Sequence, residues 1–217
     1  MSCFCSKHKL LELANHAITH YYQRVPFVRN HPQAIDLDML VMELMGSSIK
    51  MFSLSKDGSM LGMTAHERLI IRMELEDGTI ICDTLRPKDI VIDSSLAGIH
   101  NTEVRNFTLA HEIGHQLLHI YYPLLALSDQ LEEDCADIIA EGLLLPECLV
   151  RASMAFFQFP DTLSHISSQL DMNYPSFKKM ARQLGVQRQL LANRMKYLHI
   201  LTSDVPYRHT LSLMEAG

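Results

Sequence analysis

Thr102-Glu-Val-Arg-Asn-Phe-Thr-Leu-Ala-His111-Glu112-Ile-Gly114-His115-Gln-Leu-Leu-His119 decides the reading of this chain. Apolar residues recur through it at intervals of three and four, which predicts one long helix, and Pro123 breaks it. His111 and His115 are therefore about one turn apart, roughly 6 Å along the axis, on one face, where both imidazoles reach one ion. Glu112 is about 100° around the helix, beside such an ion rather than on it, where a general base for attacking water belongs. A catalytic zinc site takes three protein ligands and keeps a fourth position open. His119 fails as the third ligand, because it lies about 12 Å from His111 along the same helix. A glycine and a further histidine after His115 at the spacing of another known arrangement are absent, since those positions are Leu118 and Tyr121.

A carboxylate from the next helix remains. Asp129 with Glu132 predicts a helix start and Pro146 its end, and Glu132, Glu133 and Asp134 all lie on that segment. Glu133 shares a face with Ala136, Asp137, Ala140 and Leu144, the stripe expected to lie against the His111 helix. On this reading Glu133 ligates and Asp137 accepts the free N–H of a ligand histidine. Successive residues point about 100° apart on a helix, so Glu132 is read instead as a cap of its own helix. Gly114 costs about 1 kcal/mol relative to alanine inside a helix. Together with the small Ala136 and Ala140, it predicts close approach of the two helices.

Upstream, the spacing of Leu10, Leu11, Ala14, Ala17, Ile18, Tyr21 and Tyr22 predicts an amphipathic helix over 9–22, and a second runs from an Asp36 cap to Gly46. The β-prone runs Ile49 to Leu54, Arg68 to Leu75, Thr79 to Cys82 and Ile90 to Ile92 follow, with a hairpin signal at Glu76-Asp77-Gly78. They predict a small, mainly antiparallel sheet. Beyond Pro160, helical stretches from Thr162 to Leu170 and from Pro175 to Leu184 flank Asp-Met-Asn, a spacing like a helix-turn-helix. The fold class is α+β. The organisation expected is a metal-dependent hydrolase core over 1–159 and a helical segment over 160–217 packed on it.

With 217 residues, 47% hydrophobic and 20% charged, the composition is that of a globular protein able to bury a core without disulfides. A metal would therefore serve chemistry rather than the fold. No apolar run is long enough to span a bilayer, the N-terminus does not read as a signal peptide, and five irregularly spaced cysteines suit reduced thiols, so a cytoplasmic protein is expected. The net charge of −6 is uneven: residues 1–171 carry −11 and residues 172–217 carry +5. Seven basic residues spread over that basic segment make a diffuse footprint, so direct nucleic-acid binding is not expected of it.

Arg105-Asn-Phe-Thr-Leu-Ala-His111-Glu112-Ile-Gly-His115, followed by Glu133-Asp-Cys-Ala-Asp137-Ile-Ile-Ala140 and Leu-Leu-Leu-Pro146, resembles the ImmA/IrrE family of metallopeptidases. Asp137 stands where that family usually has Asn, and Ile139 where it usually has Phe. The resemblance implies a gluzincin-like zinc endopeptidase that cleaves a helix-turn-helix repressor in a mobile-element or stress circuit. Its ion would be held by His111, His115 and Glu133, with manganese or iron as alternatives to zinc. Glu112 would move the proton. The rival reading is a regulatory module that keeps a metal but only grips a repressor or DNA. Ile90, Val91 and Ile92, on a strand with acidic ends, are expected to pair with an extended substrate as an edge strand. Tyr121, Tyr122, Tyr174, His165 and His199 are unranked candidates for stabilising the oxyanion.

Overall fold

The computed structural model of the chain describes residues 6–55, 57–74, 79–124, 127–164, 166 and 171–202. Helix α1 (Lys7–Arg24) starts at Ser6, whose side chain accepts from the Lys9 amide, and buries Leu10, Leu11, Ala14, Ala17, Ile18 and Tyr21. Helix α2 (Leu37–Met45) starts and stops on the residues expected. Asp36 Oδ1 accepts from the Met39 amide at 3.0 Å, and Gly46 ends the helix at φ 61°, a left-handed conformation that glycine adopts without steric cost.

The strands are β1 (Ile49–Phe52), β2 (Gly62–Thr64), β3 (Leu69–Glu74), β4 (Ile80–Leu85) and β5 (Ile90–Asp93). One sheet has the order β1-β5-β2, with β1 parallel and β2 antiparallel to β5; the other is the antiparallel pair β3-β4. Antiparallel pairing therefore predominates, as expected. The hairpin signal at Glu76-Asp77-Gly78 lies outside the described residues. The edge role expected of Ile90, Val91 and Ile92 is overturned, because β5 is the central strand and all three residues are fully buried. A strand paired on both sides has its backbone donors and acceptors occupied and cannot take up a peptide. Its unbroken apolar run, without the alternation of a half-exposed strand, was the sequence signal for this. The edge is β2, three residues opening on a glycine, too short and too weakly apolar to be read as a strand.

Helix α3 (Thr102–Tyr121) carries the histidine motif and packs on β2 and β5. Near its start, Arg105 Nη2 reaches both carboxylate oxygens of Asp38 at 3.0 Å, tying α3 to α2. Helix α4 (Asp129–Leu144) follows, and its Gly142 admits α1: a Cβ there would fall 2.6 Å from Ala14 Cβ.

Backbone contacts divide the chain into a unit of Met1–Val25 with Ile35–Leu143 and a unit of Pro26–Ala34 with Leu144–Gly217. The division falls at 143/144 rather than at 159/160. The second unit contains α5 (Glu147–Phe156), α6 (Tyr174–Gln183) and α7 (Arg188–Tyr197). Leu163 is not helical but bridges Leu201 in parallel, which corrects the start of the helix expected from Thr162; residues 165 and 167–170 lie outside the described residues. The tight helix pair comes one element later, as α6 and α7 around Gly185 at φ 63°. Among the described residues no helix is long and apolar enough to cross a membrane.

Candidate active site

Three side chains converge where α3 faces α4. His111 Nε2, His115 Nε2 and a Glu133 carboxylate oxygen all lie within 4.8 Å of one another, and among the described residues they are the group with metal-binding geometry. Glu133 Oε2 is 3.0 Å from His111 Nε2, and Oε1 is 3.4 Å from His115 Nε2. The two ring nitrogens face each other at 3.0 Å. A pair of imidazole lone pairs cannot sit so close to each other without a proton or a cation between them, so the donor set fits a divalent ion.

The opposite side of each ring is held as well. His111 Nδ1 lies 2.8 Å from Asp137 Oδ1, as the sequence led one to expect, and His115 Nδ1 lies 3.1 Å from Glu132 Oε1. Both carboxylates accept an N–H from Nδ1, which fixes the tautomer and leaves each Nε2 free to ligate. The cap role expected of Glu132 is thereby corrected. The backbone carbonyl of Ser128 accepts from the Leu131 and Glu132 amides, and the Glu132 side chain turns to His115. Although Glu132 and Glu133 diverge around α4, the two histidines present both a ligating and a donating side, so each glutamate finds a different nitrogen.

Burial alone would lower the His111 pKa, but the Asp137 hydrogen bond and the nearby carboxylates outweigh it and push the pKa up. Glu112 is buried, and desolvation, with a smaller contribution from Glu133 against His111, pushes its carboxyl up to about 7. Its carboxylate lies directly under β2: a Cβ on Gly62 would fall 2.6 Å from Glu112 Oε1. Only glycine permits this approach. Gln116, the residue after His115, clamps the same strand by donating to Thr64 Oγ1 and to the Ala65 carbonyl.

These groups line a cleft of about 440 Å³ with Met60, Gly62, Thr64 and His66 on the strand side and His111, Glu112, His115, Glu132 and Glu133 on the helix side. On β2, the Asp93 amide donates to the Leu61 carbonyl and the Ala65 amide to the Asp89 carbonyl. Antiparallel alternation then turns the backbone groups of Gly62 and Thr64 away from β5, toward the free edge. None of the tyrosines considered for the oxyanion lines this cleft. Tyr121 is exposed with its ring against His16, Tyr122 lines a separate small cavity, and Tyr174 and His199 belong to the second unit; His165 lies outside the described residues. His66 was missed in the sequence because it follows a three-residue strand and carries no periodic signal. Partial burial and the facing His119 ring, 4.5 Å away between centroids, push its pKa down, so it is a neutral N–H donor at neutral pH. His119 itself is outside the metal-binding group, as expected.

The model of the IrrE N-terminal-like domain, Peptidase_M78, matches residues 67–196. Among solved structures the chain is similar to a Mycobacterium tuberculosis transcriptional regulator, at 15% identity and a TM-score of 0.43 over 85% of this chain and 47% of that one. The chain thus spans about half the length of that structure. Among curated proteins nothing matches.

Proposed function

The chain belongs to the Peptidase_M78 family of IrrE N-terminal-like domains, and on that premise we propose that it is a zinc-dependent endopeptidase whose substrate is a regulatory protein. The observation that carries this reading is the convergence of His111, His115 and Glu133 beside a buried glutamate that is itself no ligand. His111 and His115 through Nε2, and Glu133 through its carboxylate, would hold the ion, with manganese or iron as substitutes. A bound divalent ion supplies Lewis acidity to the scissile carbonyl and to the attacking water. Glu112 accepts the water's proton and returns it to the leaving amine, a task favoured by a carboxyl pushed up to about 7. His66 Nε2–H or Nδ1–H reaches into the same cleft as the donor to the developing oxyanion. Asp137 and Glu132 hold the two imidazoles in register.

The substrate strand takes the outward-facing backbone groups of Gly62 and Thr64 on β2, the role the sequence had assigned to β5. That geometry suits an extended peptide rather than a small amide. A helix-turn-helix repressor is the substrate we favour, on the resemblance of the motif residues alone, and a cytoplasmic setting agrees with Cys82 and Cys148 being free thiols. The rival reading, a metal-containing module that grips a repressor or DNA, leaves the buried Glu112 beside the ion without a purpose.

The experiment is incubation of the zinc-loaded protein with a panel of helix-turn-helix repressors, each tested as a substrate, read by intact-mass spectrometry. Discrete cleavage by the wild type and none by Glu112→Gln, with stoichiometric zinc in both, is expected. Binding of a repressor without cleavage would move the assignment to the rival.

A further inference from the structure

A second cavity of the first unit, about 930 Å³, lies apart from the cleft above the histidines. It opens beside β1 and the end of the β3-β4 ladder, and its lining includes Lys50, Arg68, Arg86, Ser47, Ser48 and Thr84. Its base is built. Asp89, buried, accepts from Ser47 Oγ at 2.6 Å and from the Arg86 amide at 2.9 Å. Lys50 Nζ donates to Asp83 Oδ2 at 2.8 Å and to the Thr84 carbonyl at 3.0 Å. Both carboxylates are therefore already committed, Asp83 to the lysine and Asp89 to the turn that carries Arg86.

The arginines are not. Arg68 precedes β3 by one residue and Arg86 follows β4 by one, and the Leu69–Leu85 pair puts the two directly opposite each other at the open end of the ladder. Among the described residues neither guanidinium has a carboxylate within ion-pair distance, Lys50, Arg105 and Arg151 being cations that do. Like charges directly opposite on paired strands repel. Two guanidiniums lining one cavity together with hydroxyls and a fixed ammonium suit an oxyanion with several acceptor atoms, and guanidinium forks match phosphate in particular. The volume lies in the range of small-molecule sites, about 300–1,000 Å³, and is far larger than one ion. The lining is also more polar than that of an apolar ligand site.

We propose that this cavity is a binding site for a phosphorylated small molecule, its phosphoryl group held between Arg68 and Arg86 and its polar remainder over Ser47, Ser48 and Lys50. The site is independent of the peptidase reading, since it shares no lining residue with the cleft.

The test is calorimetric titration of the full chain with inorganic phosphate, adenosine 5′-monophosphate and glucose 6-phosphate, against sodium chloride at matched ionic strength, with and without a chelator. Saturable binding of phosphate, and tighter binding of at least one of the two phosphate esters, is expected. Arg68→Ala and Arg86→Ala should each weaken it by about tenfold or more, as loss of a charge-assisted pair does, and the double variant should abolish it. Both side chains are exposed, so circular dichroism should report folded variants. No saturable signal, binding unchanged in the arginine variants, or binding lost on chelation, which would place the anion at the metal cluster, overturns the proposal. Binding of inorganic phosphate with neither ester gaining affinity would reduce the site to one for a free ion and overturn the small-molecule assignment.

Discussion

Glu112 sets two demands against each other. Its carboxylate must be ionised to accept a proton, yet it lies under β2 where desolvation favours the neutral acid and pushes its pKa to about 7. A carboxyl raised in the folded state above its ordinary value near 4.5 gives stability that is complete below that value and lost as pH climbs through about 7. The metal-free protein should therefore lose stability from this group between those limits. Glu112→Gln, which keeps the shape and removes the charge, should make the metal-free protein more resistant to heat than wild type at pH 8 while the two converge at pH 5. Differential scanning calorimetry in chelator at both pH values checks this, and a less stable variant at pH 8 would mean that the carboxylate is solvated after all. At this scale the sequence was most legible where helical spacing constrains direction. His111, His115, Glu112, Glu133 and Asp137 all face where the 3.6-residue period sends them. Glu132 was misread because its partner, His115 Nδ1, is on another helix, and His66 because no period runs through the turn after β2.

Helix α4 reaches α3 at a glycine. A Cβ on Gly114 would fall 2.9 Å from the Ala136 carbonyl oxygen and 3.1 Å from its Cα, both backbone atoms that cannot step aside without moving α4. Ala136 lies between Glu133 and Asp137 on the same face, so displacement of α4 moves a ligand and an orienting carboxylate together. Gly114→Ala gains about 1 kcal/mol of helix propensity but meets an overpacking cost of about 1–3 kcal/mol, and it should weaken zinc binding along with stability. Gly142→Ala is the control: its clash is with Ala14 and Leu11 of α1, away from the histidines, so it should lower the melting temperature and leave zinc affinity of the folded protein unchanged. Equal zinc affinity in both variants, measured by competition with a chromophoric chelator, would show that the α3–α4 contact does not position the site. The carboxylates of α4 should rank by the nitrogen each one meets. Glu133→Ala removes a ligand and should abolish stoichiometric zinc, whereas Glu132→Ala and Asp137→Ala remove only an orienting acceptor and should each cost about 10 to 100-fold in zinc affinity or activity. Zinc retained in Glu133→Ala but lost in Glu132→Ala would reverse the assignment of the two glutamates. The close helix contact was legible in Gly114, Ala136 and Ala140. The place of β5 was not, because an apolar run shows that a strand is buried without saying which strands flank it, and its neighbour β2 is only three residues long.

At the scale of the whole chain the metal and the fold separate. The first unit buries α1, α2 and the sheet in apolar contacts that owe nothing to the histidines, with Leu10, Leu40, Leu85, Ile90 and Ile113 each under 2% exposed. Chelation should therefore lower the melting temperature by no more than binding linkage supplies, about 2.7 kcal/mol at a metal concentration 100 times Kd, with the helical circular dichroism spectrum kept. Loss of that spectrum in chelator at 25 °C would make the ion structural. The second unit poses the question of nucleic acid, since α6 and α7 meet around a tight turn and carry six of the seven basic residues of the basic segment. Their side chains answer it. Arg194 is 2% exposed, with Nε donating to the Leu145 carbonyl at 2.9 Å, and Arg188 donates to the Tyr174 hydroxyl. The exposed cations of the two helices are Lys178, Lys179 and Arg182, all on α6, while on α7, in the place of a recognition helix, Arg188 and Lys196 are half-buried and Arg194 buried. Three phosphate contacts would give a salt dependence of only about −2.7 in log K against log salt. The full chain should accordingly show no shift of duplex DNA at micromolar protein and physiological salt, and Lys178→Glu with Lys179→Glu should change nothing in that assay. A sub-micromolar complex with a steeper salt dependence, abolished by that double substitution, would require more of the surface than α6 and would return the repressor-or-DNA-gripping module to first place.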